Sequence, residues 1–228
     1  MSKISTIPLE QIVFSNGKNT ATRFICDAPI FTSKRLISSS PFIVETDLGN
    51  LFISNNDQSD IPDNCQYALL NSRMPKKNDL TANNWNFQTW LKHPLLTDKD
   101  SESITQSWNG VFAYKKEDSA KNILGLRPPQ IGAIHSVMAH LENADDNGIV
   151  VLPTGTGKTE TMISVLVSNQ CPKVLVSVPS VSLRTQISHS FKKLGILRKL
   201  GVIPEDTTNP IVGVINSKFK TVKEYEDF

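Results

Sequence analysis

The stretch from Leu152 to Glu160, LPTGTGKTE, has the residue types and spacing that hold a phosphate. The short apolar run Gly148 to Leu152 leads into it, and the helical pattern Thr159 to Ser168 leads out. That strand–loop–helix context is the one a phosphate-binding loop requires. Gly155 and Gly157 let the backbone curl so that successive N–H groups face one anion. The helix start adds a partial positive charge aimed at the same point. Lys158 is expected to reach the β- and γ-phosphates of a nucleotide and Thr159 to set its hydroxyl on magnesium, which makes these two the candidate catalytic residues. Pro153, Thr154, Thr156 and Glu160 complete the candidate lining, Glu160 reading equally as a helix-start charge. The loop departs from the general G-x-x-x-x-G-K-[ST] spacing, because Leu152, followed by Pro153, stands at the first glycine position.

Such a loop needs a scaffold, and the second half of the chain supplies the pattern of one. Pro128 to Glu142 carries Ile131, Ile134, Val137, Met138 and Leu141 at helical spacing, with proline suited to the first turn. Gly148 to Leu152 (GIVVL), Lys173 to Val178 (KVLVSV) and Pro210 to Ile215 (PIVGVI) read as short buried strands. Ser182 to Leu194 reads as a helix with Leu183, Ile187, Phe191 and Leu194 on one face. Strands alternating with helices imply a parallel α/β sheet.

Residues 1–118 have a different character. FIVETDLGNLFIS, Phe42 to Ser54, is two alternating runs around Leu48-Gly49-Asn50 and predicts a hairpin. Gln11 to Phe14 and Arg23 to Phe31 are further strand candidates, and Asp57 to Asp63 is rich in turn formers. Asn83 to Lys92 reads as a short helix presenting Trp85 and Trp90, for which core packing is favoured over base stacking. His93 has no partner at metal-ligand spacing. YKKEDSAKN, around residue 118, reads as a linker or long surface loop, dividing a mixed α/β unit, 1–118, from 119–228.

Bulk properties narrow the classes. The composition, 39% hydrophobic and 20% charged, is that of a soluble globular protein. No apolar run reaches the roughly 18 residues of a membrane span, and the N-terminus lacks a secretory layout, so a cytoplasmic location without membrane contact is expected. The three cysteines, Cys26, Cys65 and Cys171, are scattered, which fits buried thiols better than a disulfide framework or zinc site. A net charge of +2 does not by itself mark a nucleic-acid binder, although Arg184, Lys192, Lys193, Arg198 and Lys199 fall in one short stretch.

The proline-led variant of the glycine loop resembles motif I of superfamily-two helicases, written PTGTGKT or PTGSGKT. Upstream, LRPPQ, Leu126 to Gln130, resembles the Q-motif of that family. The resemblance implies that Gln130 reads the adenine edge, an amide being able to donate and accept at once, with Arg127 beside it in the nucleotide site. Downstream, VSVPSVSLRTQ, Val176 to Gln186, resembles motif Ia. There Pro179, Ser180 and Arg184 would meet the nucleic-acid backbone. The family implies an incomplete RecA-like parallel sheet over 119–228, ATP and Mg2+ as cofactors, and DNA (RNA remaining possible) as partner. LRPPQ and LPTGTGKT look closer to the branch of restriction-enzyme motor subunits and phage-defence helicases than to DEAD-box RNA helicases. Nuclease or other defence-system subunits would then be partners.

The family also uses an acidic DExH or DEAD box to hold magnesium and orient water, and no such tetrad follows an apolar strand here. Glu205-Asp206 and the closing KEYEDF are the remaining acidic candidates. The expectation is therefore a front portion of an ATP-dependent DNA helicase or translocase that binds ATP without hydrolysing it unaided, cut from a longer product. The alternatives are a non-catalytic nucleotide-binding or interaction module and a P-loop enzyme that is not a motor.

Overall fold

The computed structural model describes residues 2–143 and 146–228. It is a mixed α/β protein with two compact units, one of residues 1–11 and 24–98, the other of residues 12–23 and 99–228. The division at 98/99 falls before the polar stretch at 118. Residues 99–118 join the second unit because Ile104 and Trp108 are buried in its core with Leu126 and Ile134. The 114–122 segment runs as a surface excursion tied down by bridges Lys116–Leu126 and Asp118–Ile123.

The first unit is built on a six-stranded sheet. Its strands are β1 (Lys3–Ser5), β4 (Ile30–Ser39), β5 (Phe42–Thr46), β6 (Asn50–Ser54), β7 (Tyr67–Asn71) and β8 (Phe87–Lys92), in that order. Alternation along the strands sends side chains to two faces. Phe42, Val44, Leu51, Ile53 and Leu69 form the larger core with Phe31 and Trp90, while Ile43, Phe52, Cys65 and Ala68 fill the other side. The hairpin expected over Phe42 to Ser54 is present, its strands pairing antiparallel from Phe42–Ile53 to Glu45–Asn50. β6 and β7 pair in parallel.

The expected helix over Asn83 to Lys92 is not formed. Residues 87–92 are β8, antiparallel to β7, with only a four-residue helix, α1 (Asp79–Ala82), before it. Phe87, Thr89 and Leu91 alternate with Gln88, Trp90 and Lys92, so aromatic and β-branched content outweighs the helical reading. Both tryptophans pack inside, Trp90 donating to the Ile7 carbonyl and Trp85 stacking on Phe87. Burial among Tyr67 and Trp90 lowers the pKa of His93 below its ordinary value. Arg73 clamps Asp79 with two hydrogen bonds, at 2.9 and 2.7 Å, and holds its carboxyl below the usual carboxylate range.

In the second unit four helices surround one apolar cluster. They are α2 (Ser101–Gln106), α3 (Pro128–Asn143), α4 (Lys158–Ser168) and α5 (Val181–Lys192), with the short α6 (Val222–Asp227) at the C-terminal end. Ile134 from α3, Ile163, Leu166 and Val167 from α4, and Phe191 from α5 meet Leu194, Leu197, Val202 and Ile203. Arg198 ties the loop after α5 together through the carbonyls of Lys193, Glu205 and Thr207 and the Asn209 amide oxygen. Its place in the basic stretch therefore reflects a structural role, and burial lowers its pKa.

The expected RecA-like parallel sheet is not formed by 148–152, 173–178 and 210–215. The first two runs belong to no strand, and Ile149, Val151 and Leu175 are 89%, 84% and 86% exposed. Only the third pairs, as β9 (Ile211–Val214), and it does so antiparallel to β3 (Thr20–Cys26), which also neighbours β2 (Leu9–Ser15). An apolar run carries strand propensity, but a ladder also needs a second backbone to satisfy its N–H and C=O groups. The β2–β3 hairpin supplies that backbone to β9 through β3. Asn19, fully buried at the hairpin turn, fixes the register beyond it by accepting from the amides of Asn216 and Ser217 and donating to the Ser217 carbonyl. No helix among the described residues is long and apolar enough to cross a membrane.

Candidate nucleotide site

The helix α3 begins with Pro128 and Pro129, whose fixed φ suits a first turn and whose missing N–H groups would have had no helical partner. Three residues in, Gln130 reaches back, its Oε1 accepting from the Arg127 amide at 2.9 Å. This is the glutamine half of a capping box. It is 3% exposed, and its Nε2 donates across 27 residues of sequence to the Gly157 carbonyl at 3.1 Å. Arg127 makes a parallel contact, Nη1 donating to the Gly155 carbonyl at 2.7 Å, while its Nε stands 3.9 Å from Glu117.

The loop itself follows an approach at 148–152 that is not a ladder strand. Gly155 and Gly157 have φ of +80° and +85°, the left-handed region that glycine adopts without penalty. Gly157 is the N-cap of α4, and its carbonyl accepts the first helical bond, from Thr161. The amides of Lys158, Thr159 and Glu160 therefore lie in the first turn, where an α-helix offers no internal partner. The Pro153 carbonyl closes the loop, accepting from the Thr156 hydroxyl at 2.7 Å and from Lys158 Nζ at 3.1 Å. Pro153, Thr154, Gly155 and Lys158 are exposed, while Thr156, Thr159 and Glu160 are half-buried.

These residues fit a magnesium-bound polyphosphate. A side chain at Gly155 would meet nothing within 4 Å, so the loop is uncrowded at that position. The lysine ammonium rests on a single neutral carbonyl, a partner that an anionic phosphate outcompetes. The helix dipole and free first-turn amides favour negative charge at the same end. Among the described residues no group of three His, Cys, Asp or Glu could hold a metal ion.

The three residues expected to meet nucleic acid are adjacent at the start of α5. Ser180 is its N-cap, with Oγ accepting from the Leu183 amide at 3.2 Å, and Pro179 and Ser180 are exposed. Arg184 is half-buried and donates to the Ile215 carbonyl at 2.9 Å, which joins α5 to the end of β9. The loop-to-α3 contacts were not anticipated from residue types, although the spacing from Arg127 to Gln130 carries the capping-box signal. The cysteines are free thiols, with pKa values raised chiefly by burial.

Residues 123–222 match the model of a protein family described as type III restriction enzyme, res subunit. The matched stretch, a little under half of the chain, runs from before the Arg127–Gln130 turn through the loop, α4 and α5. It is similar to a helicase-like, ATP-dependent nucleotide-binding domain, which supports the superfamily-two relationship suggested by its motifs. Neither curated proteins nor solved structures gave a match to the chain.

Proposed function

We propose that residues 119–228 form the ATP-binding part of a DNA helicase or translocase motor, with the loop 153–160 holding the triphosphate. The observation that carries this reading is the joint presence of two left-handed glycines, a free helix start and an exposed lysine inside the segment matched to the restriction-enzyme family. In this reading Lys158 leaves the Pro153 carbonyl for the β- and γ-phosphates, and Thr159 places its hydroxyl on Mg2+. A bound Mg2+ would supply charge neutralisation to the triphosphate. Gln130 retains one amide hydrogen and one oxygen lone pair beyond its two protein bonds, and its side chain, 3% exposed, would have to be uncovered to meet an adenine edge. Pro179 and Ser180, with the first-turn amides of α5, form a phosphate-facing helix start for the DNA backbone, and Arg184 holds that start against β9. Partner subunits of a restriction or defence system follow from the same reading.

Turnover needs more than this loop, since phosphoryl transfer depends on several groups positioned together. The 228-residue chain is therefore proposed to bind ATP with steady-state hydrolysis at background. The test is calorimetric titration with Mg·ATP, followed by competition with inorganic tripolyphosphate. Saturable binding displaced by tripolyphosphate is expected. Absence of binding, or binding that tripolyphosphate leaves untouched, would remove the phosphate loop from the account.

A further inference from the structure

We infer that Gln130 is a positioning residue for the phosphate loop, acting on triphosphate binding independently of the base. This rests on the nucleotide-site reading above and assigns Gln130 a second role within it. Its amide joins two distant backbone points, the cap of α3 at Arg127 and the cap of α4 at Gly157, and the side chain is almost wholly buried between them. The fit is close, because a Cβ added to Gly157 would lie 2.3 Å from Gln130 Nε2. The Gly157 carbonyl is the first acceptor of α4, also bonded by the Thr161 amide and hydroxyl, so holding it fixes the direction of the first-turn amides. Arg127 holds the Gly155 carbonyl from the same turn. Two side chains of one proline-stiffened turn thus brace both left-handed glycines of the loop.

A purely adenine-reading glutamine affects ATP and leaves tripolyphosphate alone; a brace affects both. Gln130→Ala is expected to weaken tripolyphosphate and Mg·ATP by a similar factor, about tenfold, the size of one lost buried hydrogen bond. Amide hydrogen exchange of the nucleotide-free full chain gives a readout that does not depend on binding. Exchange is expected to speed up at residues 154–159 in the variant, with the six-stranded sheet unchanged. Gln130→Glu separates bracing from helix capping, since it keeps the acceptor for the Arg127 amide and loses the donor to Gly157. It is expected to reproduce the faster exchange at 154–159. Tripolyphosphate affinity unchanged in Gln130→Ala, or wild-type exchange of the loop in Gln130→Glu, would overturn the assignment. If the wild-type chain binds neither ligand, the nucleotide reading fails, while the exchange comparison still decides whether Gln130 holds the loop.

Discussion

Lys158→Ala is expected to weaken Mg·ATP binding by about 10- to 100-fold, equivalent to one charge-assisted interaction of roughly 1.5–3 kcal/mol. Stability should be almost untouched, with an unfolding temperature within about 2 °C of wild type, since surface changes away from buried features have small effects. The reason is geometric: the lysine is exposed and, among the described residues, its partner is the Pro153 carbonyl, which the Thr156 hydroxyl also satisfies. Calorimetry and thermal unfolding on the same preparation check the two halves together. A variant that binds as wild type would place the triphosphate elsewhere, and one that unfolds early would make Lys158 a structural residue.

Gly157→Ala is expected to be the most damaging single change in the loop, and Gly155→Ala distinctly milder. Both positions have positive φ, which costs an L-residue roughly 1–2 kcal/mol. At Gly155 that backbone cost stands alone, because an added Cβ meets nothing within 4 Å. At Gly157 the new carbon would lie 2.3 Å from Gln130 Nε2 and 3.2 Å from Glu160 Oε2. The glutamine is buried and bonded at both ends of its amide, so displacing it loses the brace and leaves polar groups unpaired. Tripolyphosphate affinity should fall at least about tenfold further for Gly157→Ala than for Gly155→Ala, a gap of about 1.4 kcal/mol. Equal losses at the two glycines would mean that the contact with Gln130 has no energetic consequence.

What was legible in the sequence follows from how local each signal is. The helices α3, α4 and α5 were readable because 3.6-residue periodicity and capping residues are encoded within one segment, although α5 ends at Lys192 and the expected helical Leu194 has φ of +55°. The Phe42–Ser54 hairpin was readable for the same reason, its turn lying between its own strands. Strands 148–152 and 173–178 were misread because a ladder depends on a distant partner, and β9 found an antiparallel one in β3 instead of a parallel neighbour. The segment 83–92 reads as a short helix presenting Trp85 and Trp90, whereas pairing with β7 makes residues 87–92 an edge strand. The left-handed backbone at Gly155 and Gly157 was legible from residue type alone. Their support by Arg127 and Gln130 was not, because it is a contact across 27 or 28 residues of chain.

The most direct measurement is hydrogen exchange along the 228-residue chain, with and without saturating Mg·ATP. Triphosphate held by the first-turn amides of α4 requires slower exchange at residues 153–161, with a smaller effect at the Arg127–Ile131 turn and none across the six-stranded sheet. Slowing confined to other segments, or no change anywhere at a concentration that saturates binding, would contradict the assignment of this loop as the nucleotide site.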